Sequence, residues 1–124
     1  MIALDTSSIV AFLAGADGAD VDAVAAALET RQGVFPPVVV TELLSDPAAR
    51  NSLAALIHAV PTLEVLDGYW ERASELRARL LYRGLKARLA DTLIAQSCID
   101  HRVALVTRDR DFRNFARHGG LRVR

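Results

Sequence analysis

Apolar residues along the 124-residue chain follow two rhythms. Short, mostly apolar runs at residues 2–4, 33–35, 63–66, 103–106 and 121–123, the third interrupted by Glu64 and the last by Arg122, alternate with longer stretches in which apolar side chains recur every third or fourth position. A short apolar run between polar or chain-breaking residues predicts a strand covered on both faces, as parallel strands are. The longer rhythm predicts amphipathic helices. Strands alternating with helices predict an α/β fold: three layers, α/β/α, around a central parallel sheet of four to five strands.

In chain order, Thr6 or Ser7 is placed to cap a short helix whose apolar residues are Ile9, Val10, Phe12 and Leu13. The glycines at 15 and 18 break it. Asp20 is the expected cap of an Ala-rich helix to about Thr30, with Val21, Val24, Ala25 and Leu28 on one face. Pro36-Pro37 ends the second strand, since neither residue donates a ladder hydrogen bond. Residues 38–44 combine the β-branched triplet Val38-Val39-Val40 with a proline-led first turn, and a helix carrying Glu42 toward the sheet edge is the expectation. Asp46-Pro47 should open the next helix, buried through Leu53, Leu56, Ile57 and Val60. Asp67 is the expected cap of a long helix through Tyr82, with Trp70, Ala73, Leu76, Leu80 and Leu81 inward and Gly84 as its stop. A helix over 89–99 follows, with Leu89, Leu93, Ile94 and Ser97 near one face. After strand 103–106 come an acidic turn, a short helix over 112–116 and the last strand.

Chemistry gathers where strands end. Strand 2–4 runs straight into Asp5, Thr6 and Ser7, and strand 103–106 into Thr107, Arg108, Asp109, Arg110 and Asp111. In open parallel sheets, sites lie just beyond the carboxyl ends of the strands. Glu42 lies in an otherwise apolar segment, where an unpaired carboxylate is costly. Asp91 falls in the first turn of its helix. Taken singly, Asp5 and Asp91 suit helix starts, Asp109 and Asp111 suit a turn, and Thr107 suits a local backbone bond. Taken together they crowd one edge. Two carboxylates ~4 Å apart repel by about 4 kcal/mol at an effective dielectric near 20, so such a group calls for protons or a cation. His58, His101 and His118 are scattered and Cys98 is alone, so no zinc set is present. Oxygen-only ligands point to Mg²⁺ or Mn²⁺, and thence to metal-assisted phosphodiester hydrolysis.

Composition adds three points. The length suits a single domain spanning residues 1–124. The net charge of zero hides an asymmetry: nine acids and two bases precede Glu71, whereas six acids and thirteen bases follow from it onward. An Arg-rich second half is compatible with a nucleic-acid substrate, and equally with solvated helix faces. Arg108 and Arg110, flanking the acidic turn, are the candidate phosphate contacts, with Thr6, Ser7 and Thr107 supporting the acids. One cysteine suits a reducing cytoplasm, and no apolar run is long enough to span a bilayer.

Four segments in order carry a resemblance: Asp5-Thr6-Ser7 after the first strand, Glu42 in Val-Thr-Glu-Leu-Leu, Asp91 in Leu-Ala-Asp-Thr-Leu-Ile-Ala, and Thr107-Arg108-Asp109-Arg110-Asp111-Phe112. Together they resemble the PIN-domain ribonucleases, and within them the VapC toxins of bacterial toxin–antitoxin pairs, over essentially the whole chain. The resemblance implies a PIN fold, a Mg²⁺- or Mn²⁺-dependent endoribonuclease acting on RNA, and inhibition by a cognate antitoxin. It also implies a homodimer and a site of Asp5, Glu42, Asp91 and Asp109 with Asp111 assisting. Ser7 stands where the family often has Asn, which alters the hydrogen bonding around the acids. Two rivals share the acidic edge. A Mg²⁺-binding phospho-receiver would need adjacent acids after the first strand, an Asp after a middle strand and a Lys after a late one; this chain has only Asp5 in the first place, and its sole lysine is Lys86. A catalytically silent PIN scaffold that binds RNA or protein would not need every acidic position filled.

Overall fold

The computed structural model describes residues 1–47 and 50–124. Three strands, β1 (Ile2–Leu4), β2 (Gly33–Val34) and β3 (Ala104–Val106), form a parallel sheet in the order β2-β1-β3. Seven helices among the described residues surround it: α1 (Thr6–Leu13), α2 (Ala19–Glu29), α3 (Pro37–Leu44), α4 (Arg50–Ala59), α5 (Tyr69–Tyr82), α6 (Leu89–His101) and α7 (Arg113–Gly119). A 3₁₀ turn over Arg110–Phe112 precedes α7. Neighbouring residues of a strand point to opposite faces. Ala3 and Leu4 are both fully buried, so helices cover the sheet on both sides.

The sheet is narrower than the hydropathy pattern predicts. Residues 63–66 form no strand: a single parallel bridge joins Phe35 to Thr62, and the Leu63 amide donates to the Phe35 carbonyl at 2.8 Å. Residues 121–123 likewise contribute one bridge, Leu105 to Val123. A fourth and a fifth chain segment flank the sheet, but each pairs over too few residues to be a strand.

Several element ends also move. Asp5, rather than Thr6 or Ser7, stands at the N-cap of α1. Gly18, at φ +147°, precedes α2 and places Asp20 inside its first turn; Ala27 is buried on that helix while Ala25 faces water. Asp46 and Pro47 lie outside a helix, and the expected start beyond them reaches residues 48 and 49, outside the described residues. On α5 the inward aromatic is Tyr69, whose hydroxyl donates to the Leu93 carbonyl of α6 at 2.6 Å. Trp70 and Leu81 are exposed, as is Leu89 on α6. Tyr carries a polar tip that a neighbouring helix can satisfy, so it accepts the buried position. Gly84, at φ +74°, follows the C-cap of α5 in the left-handed conformation that lets a helix stop.

Candidate metal centre

Strand register builds the centre. Leu4 pairs with Val106, so the next residues, Asp5 and Thr107, leave the sheet side by side. The Asp5 amide donates to the Val106 carbonyl at 3.0 Å. β1 has β2 on one flank and β3 on the other, and the crevice at such a reversal is where open parallel sheets place ligands.

Asp5 is 4% exposed, and its Oδ2 accepts from Ser7 Oγ at 2.7 Å and Thr107 Oγ1 at 2.8 Å. It therefore makes no cap bond to α1, although it occupies the cap position. Thr107 serves both of its expected roles at once, because its Oγ1 also accepts from the Asp109 amide at 3.0 Å. Asp109 then caps the 3₁₀ turn, taking the Asp111 amide at 2.9 Å. These local bonds aim the acids; they do not exhaust them.

Asp91, Asp109 and Asp111 converge, each offering one carboxylate oxygen within 4.8 Å of the others. Asp91, in the first turn of α6, would have a lowered pKa if the helix dipole governed it. Instead its carboxyl is pushed up to about 6, by burial first and then by the charges of Asp109, Asp5 and Asp111, with Arg88 opposing. Burial, with the neighbouring carboxylates adding to it, sets the direction of the shift. A half-buried set of three oxygen donors, one of them reluctant to hold its charge without a cation, fits a hard divalent ion. Asp5 and Glu42, expected among the ligands, stand outside this closest trio. Glu42 Oε1 accepts from Thr6 Oγ1 at 2.7 Å, which ties α3 to the start of α1 beside the centre.

The basic residues divide. Arg108 is not free for a phosphate: its Nε and Nη2 reach the two Asp20 oxygens at 2.8 and 3.1 Å, and Nη2 also donates to the Asp17 carbonyl. Ser8 Oγ adds a bond to Asp20 Oδ2 at 2.8 Å. The Arg108 contact, against burial and with help from Ser8, holds the Asp20 carboxyl down to about 2. Arg110 is exposed, with no side-chain hydrogen bond among the described residues. Lys86 Nζ lies 2.9 Å from Asp111 Oδ2. Sequence reasoning missed Lys86, Asp20 and Ser8 as parts of this edge. The signal for Lys86 was its being the sole lysine, five residues ahead of Asp91. An apolar groove of about 480 Å³ between α5 and α6 contains none of the acids.

Solved structures share this architecture end to end. VapBC2 from Rickettsia felis, bound to a DNA fragment from its promoter, aligns with TM-score 0.79 and 20% identity, covering 100% of this chain and 98% of the other. VapBC-1 from nontypeable Haemophilus influenzae aligns with TM-score 0.74 and 16% identity, over 100% and 97%. A toxin-antitoxin complex from Klebsiella pneumoniae aligns with TM-score 0.70 and 17% identity, over 98% and 95%. No match was found among curated protein sequences. Residues 2–118 match the family model described as PIN domain. With that match across nearly its whole length, and with carboxylates gathered at the edge where β1 and β3 end, the chain belongs to the PIN domain family.

Proposed function

We propose that the protein is a divalent-metal-dependent endoribonuclease, acting in the cytoplasm as the toxin of a toxin–antitoxin pair. The convergence of Asp91, Asp109 and Asp111 within 4.8 Å carries this reading. Those three residues would hold Mg²⁺ or Mn²⁺, with Asp5 and Glu42 as flanking acids. A bound ion would supply charge neutralisation at the phosphodiester and a more acidic water. Around it, Ser7 and Thr107 hold Asp5 in one rotamer, Thr6 holds Glu42, and the Asp109 cap holds the turn. Fixed carboxylates need little reorganisation during reaction, which is the advantage of building the centre on strand ends. Arg110 is an open cation beside the turn for an RNA phosphate.

The toxin role draws on the Klebsiella complex and on the VapBC structures that share the fold. In this reading the partner is an antitoxin whose basic side chain enters the acidic edge, and the toxin is a homodimer. The test is cleavage of single-stranded RNA with Mg²⁺ or Mn²⁺, with and without EDTA, by wild type, Asp91→Asn and Asp109→Asn. Loss of activity with chelator and in both variants, by 100-fold or more (on the order of 3 kcal/mol of barrier), is the expected result. Cleavage that survives complete chelation removes the metal mechanism.

A further inference from the structure

Lys86 is the only lysine among the chain's fifteen Lys and Arg residues, and its ammonium meets one member of the carboxylate trio, 2.9 Å from Asp111 Oδ2. Exposed lysine–carboxylate pairs usually gain little, because a long side chain loses freedom to hold one contact. This one is presented by an immobilised backbone. Three successive carbonyls at residues 86–88 are each held by a side chain from a different helix. Asn114 Nδ2 of α7 donates to the Lys86 carbonyl at 3.2 Å, and Arg77 Nε of α5 to the Ala87 carbonyl at 2.8 Å. Thr92 Oγ1 of α6 donates to the Arg88 carbonyl at 2.8 Å. Ala87 is buried between the two neighbours that face outward. The connection between α5 and α6 thus aims a cation at Asp111.

The residue type matters as much as the placement. An arginine would grip the carboxylate with two parallel bonds, as Arg72 grips Asp100 at 2.9 and 2.7 Å. An ammonium is a compact charge with one bond to give at a time, and it lets go more readily. Asp111 is shared between this ammonium and the trio that would hold a divalent ion.

We propose that Lys86 is a tethered counter-cation, which neutralises Asp111 while the centre is empty and must yield before a divalent ion can use that carboxylate. Lys86 then sets the metal concentration at which the centre fills. This inference rests on the metal-centre reading above.

Calorimetric titration of the metal-free full chain with Mn²⁺ tests it, comparing wild type, K86M and K86R, with EDTA unfolding curves alongside. K86M keeps most of the stem and removes the charge. It should bind Mn²⁺ about tenfold more tightly than wild type, because a positive charge beside the ion's position has gone. In EDTA it should unfold more easily than wild type, because the acids lose their counter-charge. K86R, which keeps the charge, should bind Mn²⁺ no more tightly than wild type. Unchanged or weaker Mn²⁺ binding by K86M overturns the proposal while leaving the centre intact. Wild type that takes up no Mn²⁺ overturns the metal centre itself, and this role for Lys86 with it.

Discussion

Asp91 carries the electrostatic signature of the acidic centre. Its folded-state pKa of about 6 lies above the ordinary carboxyl value of 3.8, so the folded chain holds that proton more tightly than the unfolded chain does. The resulting stabilisation is fully present below about pH 4 and is lost as pH rises through 6. Above that pH the metal-free protein is burdened by a charge it resists. Asp91→Asn should therefore be more stable than wild type at pH 8 in EDTA, by about 1–2 kcal/mol after allowing for solvent reaching the side chain. The gain should fade toward pH 4, and the variant should lose most of the stabilisation that Mg²⁺ gives wild type. Urea unfolding at the two pH values, with and without metal, measures both effects. A variant less stable than wild type at pH 8 would mean that Asp91 serves the helix start. Asp5 gives the companion lesson: it occupies a cap position, yet its Oδ2 accepts from Ser7 and Thr107 and makes no cap bond.

Among elements, the link that matters runs from the first turn of α2 to the turn after β3. Arg108 and Asp20 form it, eighty-eight residues apart in sequence, with Ser8 completing the bonds. The Asp20 carboxyl is 12% exposed and held near pKa 2, below its usual 3.8. A depressed acid stabilises the fold above the unfolded pKa, and that contribution disappears as pH falls through about 2. Asp20→Asn should lower stability at pH 7 by about 1 kcal/mol, and wild type and variant should converge near pH 2. Because Arg108 leads directly into Asp109, the variant should also loosen the acidic turn and weaken Mn²⁺ binding. A stability loss without any change in metal affinity would confine the link to holding helices together.

Across the whole molecule, acids dominate the first half of the chain and arginines the second, yet folding spends several of those arginines internally. Arg72 is taken by Asp100, Arg77 by the Ala87 carbonyl, and Arg108 by Asp20. Arg110, which keeps its guanidinium open beside the centre, is the better candidate for RNA. Arg110→Ala should reduce the dependence of log RNA affinity on log salt by roughly one unit, whereas Arg108→Ala should leave it nearly unchanged. Filter binding across a salt series in Ca²⁺, or with an inactive Asp109→Asn protein, separates the two. Equal slopes for wild type and Arg110→Ala would remove Arg110 as a phosphate contact.

Periodicity and local chemistry were enough to read β1, β2, β3 and the seven helices from the sequence, because apolar runs and stop signals act over a few residues. They also singled out Asp5, Asp91, Asp109 and Asp111, since acids that interrupt or directly follow apolar runs are conspicuous. Tertiary structure decided the rest. Residues 63–66 and 121–123 have strand-like patterns but only one bridge each, because pairing depends on what lies alongside. Tyr69 displaced Trp70 from the interior because the Leu93 carbonyl was within reach of its hydroxyl. Which acids meet follows from the Leu4–Val106 register and the packing of α6, and no local pattern records either. Lys86 belongs to the same class. In the sequence it stands out only as the sole lysine, and its place beside Asp111 follows from the packing that holds the carbonyls of residues 86–88.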